Sequence, residues 1–143
     1  MPAPDSFVDT NILLYAVSTE PSEVAKSTVA RNLLMTANWA WSAQVAAEFI
    51  NASTSARRPV PLTLSQAERW IDTWMAFLLI PTDGAIVKDA IRLAGRYQIS
   101  YFDAQIIAAA RALRCRTLYS EDLNHGQDYD GVRVVNPFVV SNP

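Results

Sequence analysis

The chain has 143 residues (15.8 kDa), of which half are hydrophobic and 18% are charged, with a formal net charge of −2. That length predicts a single domain over residues 1–143, and the composition excludes a disordered or membrane-embedded chain. The N-terminus lacks the basic start and apolar stretch of a signal peptide, and a single cysteine, Cys115, excludes an internal disulfide. Both features predict a cytoplasmic protein. Cys115 itself is predicted in the core, because free cysteines are usually buried.

Short strand-like runs alternate with longer helical patterns along the chain. Five runs are predicted as strands, at residues 7–9, 39–42, 78–80, 117–119 and 132–135. Helices are predicted at residues 11–17, 21–37, 44–56, 65–75, 85–97 and 102–113. Brief, wholly apolar strands separated by helices are typical of a parallel sheet covered on both faces.

The helix predicted from Ser65 to Met75 has a clear amphipathic pattern. Ser65 is interpreted as its N-cap. Its apolar positions recur at spacings of three and four residues, the spacing of one helical face. They are Ala67, Trp70, Ile71, Trp74, Met75 and Leu78.

Four acidic residues stand in settings where a carboxylate is unusual. Asp9 ends the first predicted strand, and Asp122 follows the fourth. Glu48 interrupts an apolar stretch of its helix, and Asp103 opens the run Ala104–Ala110. Carboxylates are seldom buried unless a partner offsets their desolvation, and a divalent cation can satisfy several of them. In open sheets, ligands bind outside the carboxyl ends of the strands, where all four side chains can converge. They therefore predict a metal-dependent active site.

Each acid also has an ordinary structural explanation. Asp9 can cap the helix that begins near Asn11, and Asp103 fits a capping box that starts at Ser100. Glu48 can form a surface ion pair, and Asp122 can be a plain loop residue. Taken together, four separate explanations are less economical than one shared site.

Other kinds of active site are poorly supported. With His125 as the single histidine, in a polar loop that predicts a surface position, a zinc centre and a Ser-His-Asp triad are both disfavoured. A phosphate-binding glycine loop is absent from a sequence with four glycines. Setting aside the four acids leaves ten acidic residues against 12 basic ones, a balance of +2. An acidic metal pocket in a mildly basic shell suits a phosphodiester substrate.

Three segments carry a resemblance to a known family. They are Phe7–Leu13 (FVDTNIL), Ser100–Ala110 (SYFDAQIIAAA) and Leu118–Gly126 (LYSEDLNHG). With an acid between the first two, and with Val134–Phe138 (VVNPF) near the end, they resemble the PIN-domain family and, more narrowly, its VapC-type toxins of bacterial type II toxin–antitoxin pairs.

The resemblance implies a single α/β PIN-like domain with a five-stranded parallel sheet of order 3-2-1-4-5 flanked by helices. It implies a ribonuclease that depends on Mg²⁺, with Mn²⁺ as a possible substitute. The implied metal ligands are Asp9, Asp103 and Asp122, with Glu48 as a further catalytic acid and Asn11 and Ser120 in support. The implied partners are RNA, a cognate antitoxin and a second copy of the chain.

Two points stay open from the sequence. Glu121, beside Asp122, leaves two candidates for the fourth acid, and Phe102 stands where the family often has Trp or Tyr. Arg57 and Arg58 follow the Glu48 helix and are candidates for RNA phosphate contacts.

Three alternatives are weighed against the toxin. A receiver-type signalling domain would need an acid pair after the first strand and an Asp after the third, whereas Asp9 stands alone and the third strand leads into Pro81-Thr82. An inactive PIN-like binding module conflicts with the intact acidic set. A PIN nuclease of RNA processing, without an antitoxin, remains compatible with the sequence.

Overall fold

The fold is that of a computed structural model, which describes residues 2–139. Its strands are β1 (Ser6–Val8), β2 (Trp39–Ser42), β3 (Leu78–Ile80), β4 (Thr117–Tyr119), β5 (Asp128–Tyr129) and β6 (Val132–Val135). Its α-helices are α1 (Thr10–Val17), α2 (Val24–Thr36), α3 (Ala43–Ser53), α4 (Leu64–Trp74), α5 (Gly84–Tyr97) and α6 (Tyr101–Ala112). A 3₁₀ turn at Pro21–Glu23 precedes α2, where the sequence predicts continuous helix.

The strands form one sheet of order β3-β2-β1-β4-β6-β5. Five of them are parallel, and their order confirms the predicted 3-2-1-4-5 when β6 is counted as the fifth. The structure adds one strand to the predicted five, because the short β5 pairs antiparallel to β6. A strand of two residues is too short to show alternation of apolar and polar side chains, but the Asp130-Gly131 pair that follows it is typical of a hairpin turn. Asp130 and Gly131 both have positive φ, 51° and 101°, as the two central residues of a type I′ hairpin require.

The core lies on both faces of the sheet and is rich in aromatic side chains. Trp39 and Trp41 of β2 are almost fully buried, and Trp74 of α4 packs edge-on against Phe49 of α3 with ring centroids 4.9 Å apart. Cys115 is buried as predicted, and burial raises the pKa of its thiol to about 11, so the group is unreactive. Within residues 2–139, every helix is too short or too polar to cross a membrane.

The start of α4 corrects the predicted cap. Thr63, not Ser65, is the N-cap: its hydroxyl accepts a hydrogen bond from the Gln66 amide at 3.1 Å, and the Gln66 side chain accepts one from the Thr63 amide at 2.9 Å. This reciprocal pair is the Thr-x-x-Gln capping box. Met75, expected on the apolar face, follows the end of the helix and is 54% exposed.

Candidate active site

Asp9 sits at the carboxyl edge of the sheet, immediately after β1, and is 3% exposed. Its amide donates to the Tyr119 carbonyl at 2.9 Å, which extends the β1–β4 pairing to the edge. One carboxylate oxygen accepts from the Thr10 amide at 2.7 Å, and the other accepts from the Ser120 hydroxyl at 2.7 Å. Asp9 is therefore the N-cap of α1 and also a member of the candidate site.

Burial dominates the electrostatics of Asp9. Desolvation raises its pKa from 3.8 to about 7, while the hydrogen bonds from Ser120 and Thr10 oppose that shift. The negative charges of Asp122 and Glu48 raise the pKa further. The carboxylate thus lies in a place that favours either a proton or a cation at neutral pH.

Glu48 reaches the same place from α3. Its Oε1 accepts from the Thr10 hydroxyl at 2.7 Å, and its Oε2 accepts from the Gln44 side-chain amide at 3.3 Å. Thr10 therefore joins two acids, giving its amide to Asp9 and its hydroxyl to Glu48. Glu48 is half-buried and faces the site, as the sequence predicts.

Asp122 is held at the exposed rim of the site. Its amide donates to the Ser120 hydroxyl oxygen at 3.1 Å, and its Oδ2 accepts from the Asn11 side chain at 3.1 Å. Ser120 therefore bridges Asp9 and Asp122. Asn11 and Ser120, predicted as supporting residues, both contact candidate acids: Asn11 donates to Asp122 and Ser120 donates to Asp9.

Glu121 points to a different set of partners. It forms an ion pair with Lys26 and accepts a hydrogen bond from the Tyr15 hydroxyl at 2.8 Å. Lys26 also lies over the Tyr15 ring, 4.9 Å from its centroid. Meanwhile the Glu121 amide donates to the Asn11 side-chain oxygen at 3.2 Å. Of the two neighbouring acids, Asp122 is the one that shares the site with Asp9.

Asp103 occupies the first turn of α6 and is half-buried. Its amide donates to the Ser100 hydroxyl at 3.1 Å, so Ser100 is the N-cap of α6. The predicted capping box forms only in this half, because the described residues show no reciprocal bond from the Ser100 amide to the Asp103 carboxylate. The turn is tied to α3 because the Gln44 side-chain amide donates to the Phe102 carbonyl at 3.1 Å. Gln44 thus connects the Asp103 turn with Glu48, although the Asp103 carboxylate makes no hydrogen bond to the other three acids.

The donor set suits a hard divalent cation. Asp9, Glu48 and Asp122 repel one another electrostatically, and a cation relieves that repulsion. Within residues 2–139, no three acidic, histidine or cysteine side chains lie close enough together to hold an ion by themselves. Mg²⁺ does not require three, because it keeps several waters and binds through one or two carboxylates plus substrate phosphate. The carboxylates therefore fit Mg²⁺ better than a fully protein-enclosed metal.

Arg57 and Arg58 line a cavity of about 690 Å³ between the segment from the end of α1 to the 3₁₀ turn and the loop after α3. The Arg58 Nε is buried without a hydrogen-bond partner among the described residues. Arg58 also lines a smaller cavity of about 180 Å³ together with Asn11 and Tyr15. The side chain therefore lies beside the residue that holds Asp122.

Two residues of the site, and one that holds Glu121 outside it, were not predicted from the sequence. Thr10 links Asp9 to Glu48, Gln44 links Glu48 to the Asp103 turn, and Lys26 anchors Glu121. The contact of Gln44 with Glu48 could have been predicted, since Gln44 lies one helical turn before Glu48 on the same helix. The contact of Lys26 with Glu121 could not, because 95 residues separate the two.

Several solved structures share this fold at low sequence identity. VapC20 of Mycobacterium tuberculosis, described as a sarcin–ricin-loop-cleaving toxin, is 18% identical with a TM-score of 0.66, over 82% of this chain and 89% of its own. A toxin–antitoxin complex from Klebsiella pneumoniae is 22% identical with a TM-score of 0.68, over 92% of this chain and 97% of its own. DNA-bound VapBC from Salmonella typhimurium is 15% identical with a TM-score of 0.60, over 92% of this chain and 96% of its own.

The family comparison is more specific than these structural likenesses. No curated protein sequence matches the chain. The family profile of the PIN domain matches residues 6–127, which contain all four candidate acids and most of the sheet. The chain belongs to the PIN-domain family.

Proposed function

We propose that this chain is a metal-dependent endoribonuclease and the toxin of a type II toxin–antitoxin pair. The observation that carries the proposal is the linked set of acids at the carboxyl edge of the sheet. Asp9, Glu48 and Asp122 are joined through Thr10 and Ser120, in a domain of the PIN family. That arrangement concentrates negative charge where an open parallel sheet binds its ligands.

The structural neighbours support the toxin part of the proposal. One of them is described as a toxin that cleaves the sarcin–ricin loop, and others are toxin–antitoxin complexes. Those properties belong to the neighbours, which are less than 25% identical to this chain. They favour RNA over DNA as the substrate of the proposed nuclease.

PIN-domain nucleases generally use divalent metal ions. Of the three ligands expected from the sequence, Asp9 and Asp122 are bridged by Ser120 and are proposed to hold Mg²⁺ directly, with Mn²⁺ as a substitute. Asp103, the third, is proposed to act on the waters that the ion keeps. When bound, the ion lowers the pKa of an attacking water and neutralises charge on the phosphate. Burial and the neighbouring acids raise the pKa of Asp9 and so favour its neutral form. A cation beside it would offset both effects and favour the charged carboxylate.

The protein's own side chains organise the reaction. The Ser120 hydroxyl and the Thr10 amide fix both oxygens of Asp9, so the carboxylate cannot rotate. Asn11 fixes Asp122 from the other side. Glu48 is half-buried and held by Thr10 and Gln44, which suits it to orient a water or to accept its proton.

The RNA strand is proposed to approach over Arg57 and Arg58. Arg58 is half-buried and lines a cavity with Asn11, where its guanidinium can donate to a phosphate oxygen. Because Arg58 shares a small cavity with Asn11, a phosphate held there would lie close to the acids. Such contacts position the backbone without selecting a base sequence.

The antitoxin is proposed to bind along the groove between α3 and α4. A cavity of about 520 Å³ lies there, with apolar Ile50, Leu64 and Ile71 beside acidic Glu68 and Asp72. Leu64 is 69% exposed, so it offers an apolar anchor point. The lining suits an amphipathic, basic segment of a partner. The toxin is proposed to act as a homodimer, whose mass in solution can be measured by sedimentation.

The first prediction tests the acidic site. Purified protein should cleave single-stranded RNA in Mg²⁺ or Mn²⁺ and stop in EDTA. Asp9→Asn and Asp103→Asn should each lower the cleavage rate by at least about 10²-fold, since each removes a charge used in the transition state. The matched control is Asp89→Asn, at a surface carboxylate paired with Arg92 and Arg111. Full activity of either site variant would overturn the assignment.

A further inference from the structure

Phe102 is an exposed aromatic side chain in the first turn of α6, immediately before Asp103. Its exposed fraction is 64%, whereas the aromatic side chains of β2 and α3 are almost fully buried. Leaving a ring of this size in water forgoes roughly 2 kcal/mol of burial. An aromatic side chain that contributes nothing to the core yet stands beside a candidate catalytic acid points to a ligand.

The backbone that presents this ring is fixed. The Gln44 side-chain amide donates to the Phe102 carbonyl at 3.1 Å, and the Gln105 side-chain amide donates to the Gln44 oxygen at 2.8 Å. Ser100 caps the same turn through the Asp103 amide. The Tyr101 ring packs edge-on against Phe102, with centroids 5.5 Å apart. A pre-positioned ring loses little further entropy when it binds a ligand.

The surroundings of the ring favour a nucleobase over a protein surface. Tyr101 and Asp103 flank it in sequence, and Ser100 and Gln44 hold its turn, so the ring stands among polar groups with one aromatic neighbour. Protein-docking faces are contiguous apolar patches, whereas base recognition uses single aromatic rings set among polar groups. An unpaired base can stack on one face of a ring, while a base inside a duplex is already stacked on its neighbours.

We propose that Phe102 is a stacking platform for an unpaired RNA base next to the phosphate that is cleaved. Consecutive Cα atoms are about 3.8 Å apart, so the ring and the Asp103 carboxylate occupy the same helical turn. The inference rests on the proposed ribonuclease function and deepens it: the substrate class is single-stranded or loop RNA. Phe102 then selects unpaired RNA, and Arg57 and Arg58 hold its backbone.

The test compares three substitutions that differ in ring character. Because Phe102 is exposed, Phe102→Ala, Phe102→Leu and Phe102→Trp should all melt close to the wild-type temperature. Binding is measured in the Asp9→Asn background by fluorescence anisotropy, using a single-stranded RNA with 2-aminopurine placed at one position at a time. Removal of an aromatic stack should weaken binding by about 5- to 150-fold in the Ala and Leu variants, and Trp should preserve it.

Two further measurements separate stacking from phosphate binding. The 2-aminopurine quenching at one position should disappear in Phe102→Leu and return in Phe102→Trp. The salt dependence of binding should not change in the Phe102 variants, whereas an Arg57→Ala/Arg58→Ala protein should show a slope smaller by roughly one for each phosphate that it no longer neutralises. With Asp9 restored, KM for cleavage should rise more than kcat falls.

Specific results would overturn the stacking assignment. Wild-type affinity in Phe102→Leu would show that an apolar side chain suffices. Unchanged RNA affinity with a dimer-to-monomer shift in Phe102→Ala would place the ring in a protein interface. In both cases, continued Mg²⁺-dependent cleavage by wild type, abolished in Asp9→Asn, would leave the proposed ribonuclease function standing. Absence of any cleavage by wild type would instead remove the proposed function itself.

Discussion

Asp9 shows how one side chain serves both the fold and the site. One oxygen caps α1 through the Thr10 amide, and the other receives the Ser120 hydroxyl from the loop after β4. The capping interpretation and the catalytic interpretation were alternatives in the sequence. They are compatible because a carboxylate has two oxygens and enough lone pairs for several donors.

The buried charge of Asp9 predicts a pH-dependent stability in metal-free protein. Its folded pKa, about 7, lies above the unfolded value of 3.8, so the folded state binds the proton more tightly. The resulting stabilisation is complete below pH 3.8 and is lost as the pH rises through about 7. In EDTA, the free energy of unfolding of Asp9→Asn should therefore rise relative to that of wild type as the pH increases, by up to a few kcal/mol.

Thermal melts of both proteins between pH 5 and pH 8.5 measure this difference. Asn is a suitable control residue because it also caps helices well. Adding Mg²⁺ at the higher pH should narrow the gap, since a cation supports the charged carboxylate of wild type. A gap that is constant across this range would contradict the raised pKa.

The neighbours Glu121 and Asp122 provide a matched pair for the next prediction. Asp122→Asn should weaken Mn²⁺ binding by at least about 10-fold and slow cleavage, because its charge acts on Asp9. Glu121→Gln should leave Mn²⁺ affinity near wild type, because Glu121 is engaged by Lys26 and Tyr15. It should lower the free energy of unfolding by about 1 kcal/mol.

Calorimetric titration measures the Mn²⁺ affinity of the two variants, and chemical denaturation measures their free energy of unfolding. The reverse pattern, in which Glu121→Gln loses the ion and Asp122→Asn keeps it, would move the fourth acid of the site from Asp122 to Glu121.

At the scale of elements, helix starts depend on side-chain chemistry that lies just outside the helix. The Thr63–Gln66 capping box fixes the start of α4 and hence one wall of the α3–α4 groove. Ser65 is also a good capping residue, but its position falls inside the helix. Local capping preference alone therefore leaves the boundary ambiguous by two residues.

This correction predicts a difference between two similar substitutions. Thr63→Ala should lower the free energy of unfolding by about 1 kcal/mol, because the Gln66 amide loses the Thr63 hydroxyl oxygen that accepts its hydrogen bond. Ser65→Ala should change it by less than about 0.5 kcal/mol, since alanine is the better interior helix residue. Urea denaturation of both variants measures the values, and a larger decrease in Ser65→Ala would favour Ser65 as the cap.

The β5–β6 hairpin is anchored to α5 and α6 by the side chain and backbone of one residue. The Asp130 carboxylate accepts from the Tyr97 hydroxyl at 2.5 Å and from Arg92 at 2.8 Å, and Arg111 donates to its carbonyl. The Tyr97 hydrogen bond, followed by that of Arg92, lowers the pKa of Asp130. Its φ of 51° suits a turn that only a few residue types adopt readily. The added edge strand is thus built from contacts between distant segments.

At the scale of the whole molecule, the proposed toxin must be held silent by a partner. Expression of this chain alone should arrest growth, and co-expression with its cognate antitoxin should restore growth. Leu64→Lys should weaken the complex in a pull-down by at least about 10-fold while leaving RNA cleavage unchanged, because it places a charge in the apolar groove.

The matched control is Met35→Lys, which changes a residue that is 85% exposed on α2, outside the groove. Normal growth despite soluble, RNA-cleaving protein would count against a toxin and favour a PIN nuclease of RNA processing. A complex that Met35→Lys breaks and Leu64→Lys does not would move the antitoxin to another face.

The strand order was implied by the resemblance to the PIN-domain family, whereas the sequence by itself determined the alternation of strands and helices, the parallel sheet and the identity of the candidate acids. These follow from local signals: apolar strand runs, helical periodicity and carboxylates in apolar settings. The tertiary structure decided which acids share a site. Ser120 and Asp9 are 111 positions apart, and only the pairing of β1 with β4 brings them to 2.7 Å.

The same reason explains what the sequence left open. Glu121 and Asp122 are adjacent acids with similar local signals. Lys26 of α2 and Tyr15 of α1 separate their roles by holding Glu121. The exposure of Phe102 also could not be inferred, because an apolar residue is as readily expected in the core as on the surface. Local chemistry sets which residue types can act, whereas long-range packing sets which of them meet, because desolvation and charge depend on neighbours that are far away in the chain.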